Sequence, residues 1–230
     1  MLYPFFFDPT FLLLIPALIL AGWAQMKVKG TYERYSRIAA RKGLTAKDVA
    51  RRILDENGLH NVPVERIAGS LTDHYDPKAK TLRLSETVYS SPSIAAIGVA
   101  AHEAGHALQD AGAYAPLKLR NSIVPVVSLG SGLAFPLFFI GFLFGTPLLM
   151  DVGILFFIGV LLFHLVTLPV EYNASGRALR ILDSTGILAG EEMKGARAVL
   201  NAAALTYVAA TVMAALQLVR LLLLRGMRND

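Results

Sequence analysis

The sequence contains no cysteine and few charged residues, and both shortages restrict what the protein can be. Without cysteine there is no disulfide framework, no thiolate zinc site and no cysteine nucleophile, so a transition metal must be held by His, Asp or Glu. Charged residues make up 17% of the 230 residues and hydrophobic residues 54%. This balance excludes a disordered chain, and it leaves too few charges to cover the surface of a single soluble domain.

Four apolar runs without charges are long enough to cross a bilayer, which takes about 20 residues. They predict membrane spans at roughly 10–26, 123–145, 150–169 and 203–222. Asp8 precedes the first run and no Lys or Arg does, which favours an uncleaved anchor over a signal peptide. Asp151 separates the second and third runs, and Gly145-Thr146-Pro147 is a tight turn without charge, so we expect these two spans to form a hairpin.

Basic residues near the span ends predict the orientation of the chain, because Lys and Arg concentrate in cytoplasmic segments. Segment 27–122 is rich in them, so it should be cytoplasmic, and segment 171–202 should lie on the same side. The residues concerned are Lys27, Lys29, Arg34, Arg37, Arg41, Lys42, Lys118 and Arg120. Three arginines near the C-terminus oppose this orientation, and a tilted, interfacial or re-entrant fourth helix is the alternative. They are Arg220, Arg225 and Arg228. The net charge of +5 includes no basic run typical of a nucleic-acid surface.

The segment between the first two spans carries the signals of a small mixed fold. Thr45 and Asp48 are spaced as a helix cap, and 62–67 and 81–84 alternate like strands on either side of a turn. A second helix is predicted from about Ser93 to Asp110.

This second helix contains the HExxH pattern, His102-Glu103-Ala104-Gly105-His106. Residues four apart share one face of a helix, so two imidazoles at this spacing can bind one zinc ion. Glu103 can reach the same side and take a proton from water as a general base. Gly105 has no side chain, so the back of the helix can pack closely against a neighbour.

A catalytic zinc site needs a third protein ligand and an open fourth position. Glu171 is the leading candidate, because the predicted topology brings it to the membrane face that carries His102 and His106. His164 lies within the third predicted span and is either a helix-packing residue or a ligand. The remaining candidates are His60, His74, Asp183, Glu191 and Glu192.

Three stretches of the chain resemble a known family, and the resemblance covers nearly the whole length. They are LRLSETVYSSPSIAAIGVAAHEAGHALQ (82–109), LPVEYNASGRAL (168–179) and AAALTYVAA (202–210). The chain resembles the small membrane zinc metallopeptidases of the YugP type and, more distantly, the HtpX and Ste24 membrane gluzincins. The resemblance implies one zinc ion per chain, bound by His102, His106 and Glu171, with Glu103 as the general base.

The chain departs from the distant relatives at one position of this pattern. Those relatives have Asp four residues after the ligand Glu, where it orients a zinc-bound imidazole, and this chain has Ser175. A hydroxyl can accept the same hydrogen bond without a charge. A donor for the developing oxyanion is also needed. The candidates are Tyr207, which the resemblance favours, Tyr172, Arg177 and His164. The strand 82–84 is either ordinary sheet or an edge that binds an extended substrate.

The sequence therefore predicts a mainly α, polytopic membrane protein with about four membrane helices. A small α+β, zincin-like cytoplasmic part carries the HExxH helix. The expected segments are an anchor (1–26), a metallopeptidase segment (27–122), a membrane hairpin (123–170), a helix with the third ligand (171–202) and a C-terminal membrane helix (203–224).

The expected function is zinc-dependent cleavage of polypeptides, unfolded or membrane-associated, at the cytoplasmic face of a bilayer, without a nucleic-acid partner. The alternative from another class is a non-catalytic membrane scaffold that keeps a structural metal site. Ser175 favours the scaffold slightly, whereas Glu103 favours the enzyme, because a structural site needs no base. The chain lacks the repeated halves of a transporter. Polar residues around the HExxH helix disfavour an intramembrane protease.

Overall fold

The structure is a computed structural model that describes residues 9–228. Helices form most of this part of the chain. The helices are a 3-10 turn at Pro9–Leu14, α1 (Ile15–Ser36), α2 (Ala46–Glu56), α3 (Glu86–Tyr89), α4 (Ile94–Ala111), α5 (Ala115–Phe144), α6 (Pro147–Ser184) and α7 (Glu191–Met227). The strands are β1 (Val64–Ile67), β2 (His74–Asp76) and β3 (Thr81–Ser85).

The chain divides into two compact units. Among the described residues, an all-helical unit comprises 9–24, 119–168 and 206–228, and a mixed unit comprises Gln25–Lys118 and Pro169–Leu205. The mixed unit contains the sheet, α2, α3 and α4.

Within residues 9–228, four helices are long and apolar enough to cross a membrane, as the sequence predicts. They are Pro9–Ser36, Ala115–Phe144, Pro147–Ser184 and Glu191–Met227, and each overlaps nearly the whole length of one predicted span. In the all-helical unit, Phe138, Met150 and Leu221 form the centre of an apolar cluster. Large apolar side chains such as Leu129, which is 68% exposed, cover its outside. An apolar exterior of this kind suits lipid and does not suit water.

The fourth apolar helix is continuous, and its C-terminal end has partners within the all-helical unit. Arg225 donates two hydrogen bonds, of 2.9 and 3.3 Å, to the carboxylate of Asp151 near the start of α6. Arg220 donates to the hydroxyl of Thr10, at the start of the first apolar helix. The beginning of the first helix, the beginning of α6 and the end of α7 therefore lie near one another.

The mixed unit is built on one apolar core between helices and sheet. Thr45 and Asp48 form a reciprocal capping box at the start of α2, as their spacing predicts. Buried side chains from α2, β3, α4 and α6 meet in the core, among them Ile53, Leu84 and Ile97. The sheet has the order β1-β3-β2, with β1 parallel and β2 antiparallel to β3.

This strand order decides between the two alternatives for 82–84 in favour of ordinary sheet. β3 pairs on both sides, with Val64–Ile67 and with His74–Asp76, so it cannot receive an extended substrate at its edge. The sequence did not predict β2, whose three residues are too few to show a period of two.

The segment 171–202 also differs from the single helix expected there. It comprises the end of α6, a turn, and the start of α7. Gly186 and Gly190 have φ of +59° and +54° in this turn, a conformation that interrupts a right-handed helix.

Candidate metal centre

Helix α4 holds two histidines on one face. Ser93 caps the helix by accepting a hydrogen bond from the Ala96 N–H, and the helix then continues without interruption through His102 and His106. The two imidazole rings are 4.7 Å apart between centroids and meet edge to face. The two rings therefore lie side by side on one face of the helix, one turn apart.

Helix α6 brings Glu171 to these histidines because the two helices approach very closely. A Cβ atom placed on Gly105 would lie 2.7 Å from the carbonyl oxygen of Ala174, so only glycine fits at this position. Glu171 Oε2 is 3.2 Å from His102 Nε2 and 3.5 Å from His106 Nε2. Gly105 thus has the close-packing role that its place in the motif predicts.

The three side chains fit a zinc ion. Their candidate ligand atoms all lie within 4.8 Å of one another, and no other group of His, Asp and Glu in residues 9–228 meets this condition. Ligand atoms about 2.0–2.1 Å from a tetrahedral ion are about 3.3–3.4 Å apart. Glu171 Oε2 is 3.2 and 3.5 Å from the two Nε2 atoms, which is close to this spacing. Two imidazoles and one carboxylate leave one position open, and this donor set suits zinc.

Each histidine is hydrogen-bonded through its other ring nitrogen. His102 Nδ1 is 3.0 Å from Ser175 Oγ, so the hydroxyl of Ser175 is placed to orient this ring. His106 Nδ1 is 2.9 Å from Gln109 Oε1. Partners of this kind set the ring orientation and tautomer of a metal ligand.

Glu103 lies on α4 between the histidines and is 8% exposed. Its Oε2 accepts a hydrogen bond of 3.0 Å from the main-chain N–H of Tyr75 in β2. Burial, together with the carboxylates of Glu171 and Asp73, raises the pKa of Glu103 to about 7, against the opposing effect of the His102 imidazole. A buried carboxyl with a pKa near neutrality is suited to accepting and releasing protons.

The other predicted ligand candidates lie outside the cluster. In the mixed unit, His60 contacts Asp55, His74 contacts the carbonyl of Thr72, Glu191 binds Lys194, and Glu192 accepts the N–H of Arg41. Asp183 is exposed near the end of α6. His164 belongs to the all-helical unit.

The candidate oxyanion donors Tyr172, Arg177 and Tyr207 lie on two different helices, α6 and α7. Tyr172 follows Glu171 on α6 and is 51% exposed. Arg177 donates from Nε to the side-chain oxygen of Asn173. Tyr207 lies on α7 in the all-helical unit, and its carbonyl accepts a hydrogen bond from Thr211.

Sequence reasoning did not assign roles to Gln109 and Tyr75. Gln109 follows His106 by three residues, a spacing that places both on one side of a helix, so this signal was available. Tyr75 contributes a main-chain N–H, which every residue but proline has, so its part could not be read from the sequence.

Comparison with known proteins gives the family of the chain. The family model described as "Putative neutral zinc metallopeptidase" matches residues 10–226, and the chain belongs to this family. A relative from Bacillus subtilis (strain 168), "Putative membrane protease YugP", is 50% identical over 212 residues, which cover 92% of this chain and 94% of the relative. No solved structure matches the chain.

Proposed function

We propose that this protein is a membrane-bound zinc endopeptidase of the gluzincin type, with one zinc ion per chain. One observation carries the proposal: His102, His106 and Glu171 converge within ligand distance, and the buried carboxyl of Glu103 lies beside them. The family description and the name of the Bacillus relative point the same way. The zinc ligands would be the two His Nε2 atoms and the Glu171 carboxylate.

Each residue of the proposed site has its own role in peptide hydrolysis. When bound, zinc supplies Lewis acidity that lowers the pKa of a water molecule and polarises a peptide carbonyl. Glu103 takes a proton from the attacking water and returns it to the leaving amine nitrogen. The Tyr75 N–H holds Glu103 Oε2, so Oε1 is the oxygen we assign to proton transfer. Tyr207 is the oxyanion donor we assign on the resemblance, with Tyr172 as the alternative.

The proposed location is a cell membrane crossed by four helices, with segments 27–122 and 171–202 in the cytoplasm. The basic residues of 27–42 support this orientation. The partners of Arg220 and Arg225 support a complete fourth crossing, because they lie at the beginning of the first apolar helix and of α6. The substrates we propose are polypeptides, unfolded or membrane-associated.

The decisive test combines zinc content with cleavage in detergent-purified protein. We expect about one zinc per wild-type chain, lost in Glu171→Ala, and cleavage of casein that falls about 10²–10⁴-fold in Glu103→Gln while its zinc remains. Glu192→Ala is the matched control: Glu192 is also a buried acid of the mixed unit, and its variant should keep zinc. Zinc retained in Glu171→Ala would show that Glu171 is not the third ligand.

The same experiment distinguishes the second candidate function, a non-catalytic membrane scaffold. The hydrogen bond between His102 and an uncharged Ser175 favours it slightly, because a serine makes the imidazole less basic than an aspartate would. Bound zinc without cleavage of casein or of membrane proteins in proteoliposomes would support the scaffold.

The absence of cysteine makes the orientation easy to test. Lys78→Cys labels the exposed turn after β2, and Thr146→Cys labels the turn between α5 and α6. In intact cells, a membrane-impermeant maleimide should react at position 146 and not at position 78 until the membrane is opened. The reverse pattern would place the metal centre outside the cytoplasm.

A further inference from the structure

Gln109 is completely buried, and all of its polar atoms have partners. Its Nε2 donates to the main-chain oxygen of Val170 at 2.8 Å and to Asn173 Oδ1 at 3.0 Å, both on α6. Its Oε1 is 2.9 Å from His106 Nδ1. The side chain therefore connects the second histidine of α4 with the turn of α6 that carries Glu171.

These partners determine which way the amide faces. Val170 O is a carbonyl oxygen and can only accept. Asn173 Oδ1 accepts from Arg177 Nε at 2.8 Å, so it too is an acceptor. A flipped Gln109 amide would place its oxygen against two acceptors, and a buried polar group without a partner costs about 1–3 kcal/mol. The Nε2 group must therefore face α6, and Oε1 must face the imidazole.

This orientation in turn sets the tautomer of His106. Because Oε1 can only accept, Nδ1 must carry a hydrogen, and in the neutral ring the lone pair is then on Nε2. Nε2 is the atom that faces Glu171 Oε2 at 3.5 Å. Two acceptors facing one another at this distance are stabilised by a cation between them.

We propose that Gln109 is a positioning residue that holds His106 in the tautomer required for metal binding, and that α6 imposes this choice through Val170 O and Asn173. The proposal rests on the proposed function only in that His106 is a metal ligand. It does not require that the protein cleaves peptides. The arrangement makes the second histidine depend on the helix that carries the third ligand.

The test measures zinc affinity by competition with a chromogenic chelator, together with the melting temperature of the metal-free protein. Gln109→Met keeps the length and the helix propensity of the side chain but removes its hydrogen bonds. We expect zinc affinity to fall about 10–100-fold, as for other partners of ligand histidines. A loss of less than about threefold would overturn the proposal, because such a loss is well below the expected 10–100-fold range.

A second variant separates positioning from simple structural support. Gln109→Glu keeps an acceptor toward His106 Nδ1, whether its carboxyl is ionised or protonated, but loses at least one donor to α6. We expect a lower melting temperature than wild type with zinc affinity recovered relative to Gln109→Met. Equal loss of affinity in both variants would show that Gln109 supports the fold only.

Ser93→Ala is the matched control for the helix. Ser93 is a buried polar residue of the same element, and it caps α4 far from His106. This variant should melt at a lower temperature and bind zinc as wild type does. If wild-type protein binds zinc and Gln109→Met weakens that binding, but no peptide is cleaved, the peptidase is rejected and this inference stands. Wild-type protein without zinc affinity would reject both.

Discussion

The main-chain N–H of Tyr75 donates a hydrogen bond of 3.0 Å to the carboxylate of Glu103. The same tyrosine donates its hydroxyl hydrogen to Asp110 Oδ2 at 2.7 Å. Glu103 and Asp110 are seven residues apart, about two turns, and so lie on one face of α4. Tyr75 therefore fixes strand β2 to this helix face at two points, one of them the proposed base.

Tyr75→Phe should weaken this attachment without removing the main-chain N–H. We expect the free energy of unfolding to fall by about 1–2 kcal/mol, because the bond to a carboxylate is lost. Cleavage should fall about tenfold through misplacement of Glu103. Thermal unfolding and casein cleavage would measure the two effects. Lys80→Met is the control, because Lys80 also binds Asp110 but is mostly exposed, and its loss should cost no more than about 1 kcal/mol.

Gly105→Ala should separate α4 from α6. The added methyl group would lie 2.7 Å from the Ala174 oxygen, a main-chain atom that cannot move aside cheaply. We expect a loss of about 1–3 kcal/mol in stability, from overpacking, and weaker zinc binding. Gly98→Ala, seven residues earlier on the same helix, meets its nearest atom at 3.7 Å and should be tolerated. Comparable losses in the two variants would contradict the close approach as the cause.

Ser175→Ala removes the partner of His102 Nδ1. We expect zinc affinity to fall about tenfold, because the ring loses the hydrogen bond that orients it. Chelator competition measures the change. Ser184→Ala replaces an exposed serine of the same helix and should bind zinc as wild type does. An unchanged affinity in Ser175→Ala would mean that the ring is held by packing alone.

Asp73 should make the stability of the metal-free protein depend on pH. Burial raises its pKa above the ordinary 3.8, against the hydrogen bonds from Ser85 and the charge of the neighbouring His74. Glu103 lies close enough to interact with its charge.

A raised pKa in the folded state means that the ionised form disfavours folding. The melting temperature of wild type minus that of Asp73→Asn should therefore be highest in acid. It should decline as pH rises from about 3.8 through the raised pKa. A difference that stays constant or increases with pH would contradict this assignment.

Much of the candidate site could be predicted from the sequence, because the pattern that indicates it is local. The spacing of His102 and His106 fixes their shared face, and Glu103 is given by the same turn of helix. Glu171 needed a further step, the prediction of spans, since only the topology relates residues on α4 and α6. The capping box of Thr45 is likewise a local signal, and it was predicted correctly.

The rest depends on tertiary contacts that leave little trace in the sequence. The central position of β3 is set by its pairing with both neighbours, and alternation along 81–84 cannot reveal it. The Tyr75 N–H is invisible because side-chain identity does not encode it. The orientation of the Gln109 amide depends on Val170 O, a main-chain atom 61 positions away.

A metal held between α4 and α6 would act as a crosslink. Glu171 and His102 are 69 positions apart, so an ion bound by both closes a long loop of chain. Folding and metal supply are then linked by mass action: free zinc at 100 times its dissociation constant would add about 2.7 kcal/mol to stability. Chelation would therefore lower the melting temperature, and starvation for zinc would shorten the lifetime of the folded protein.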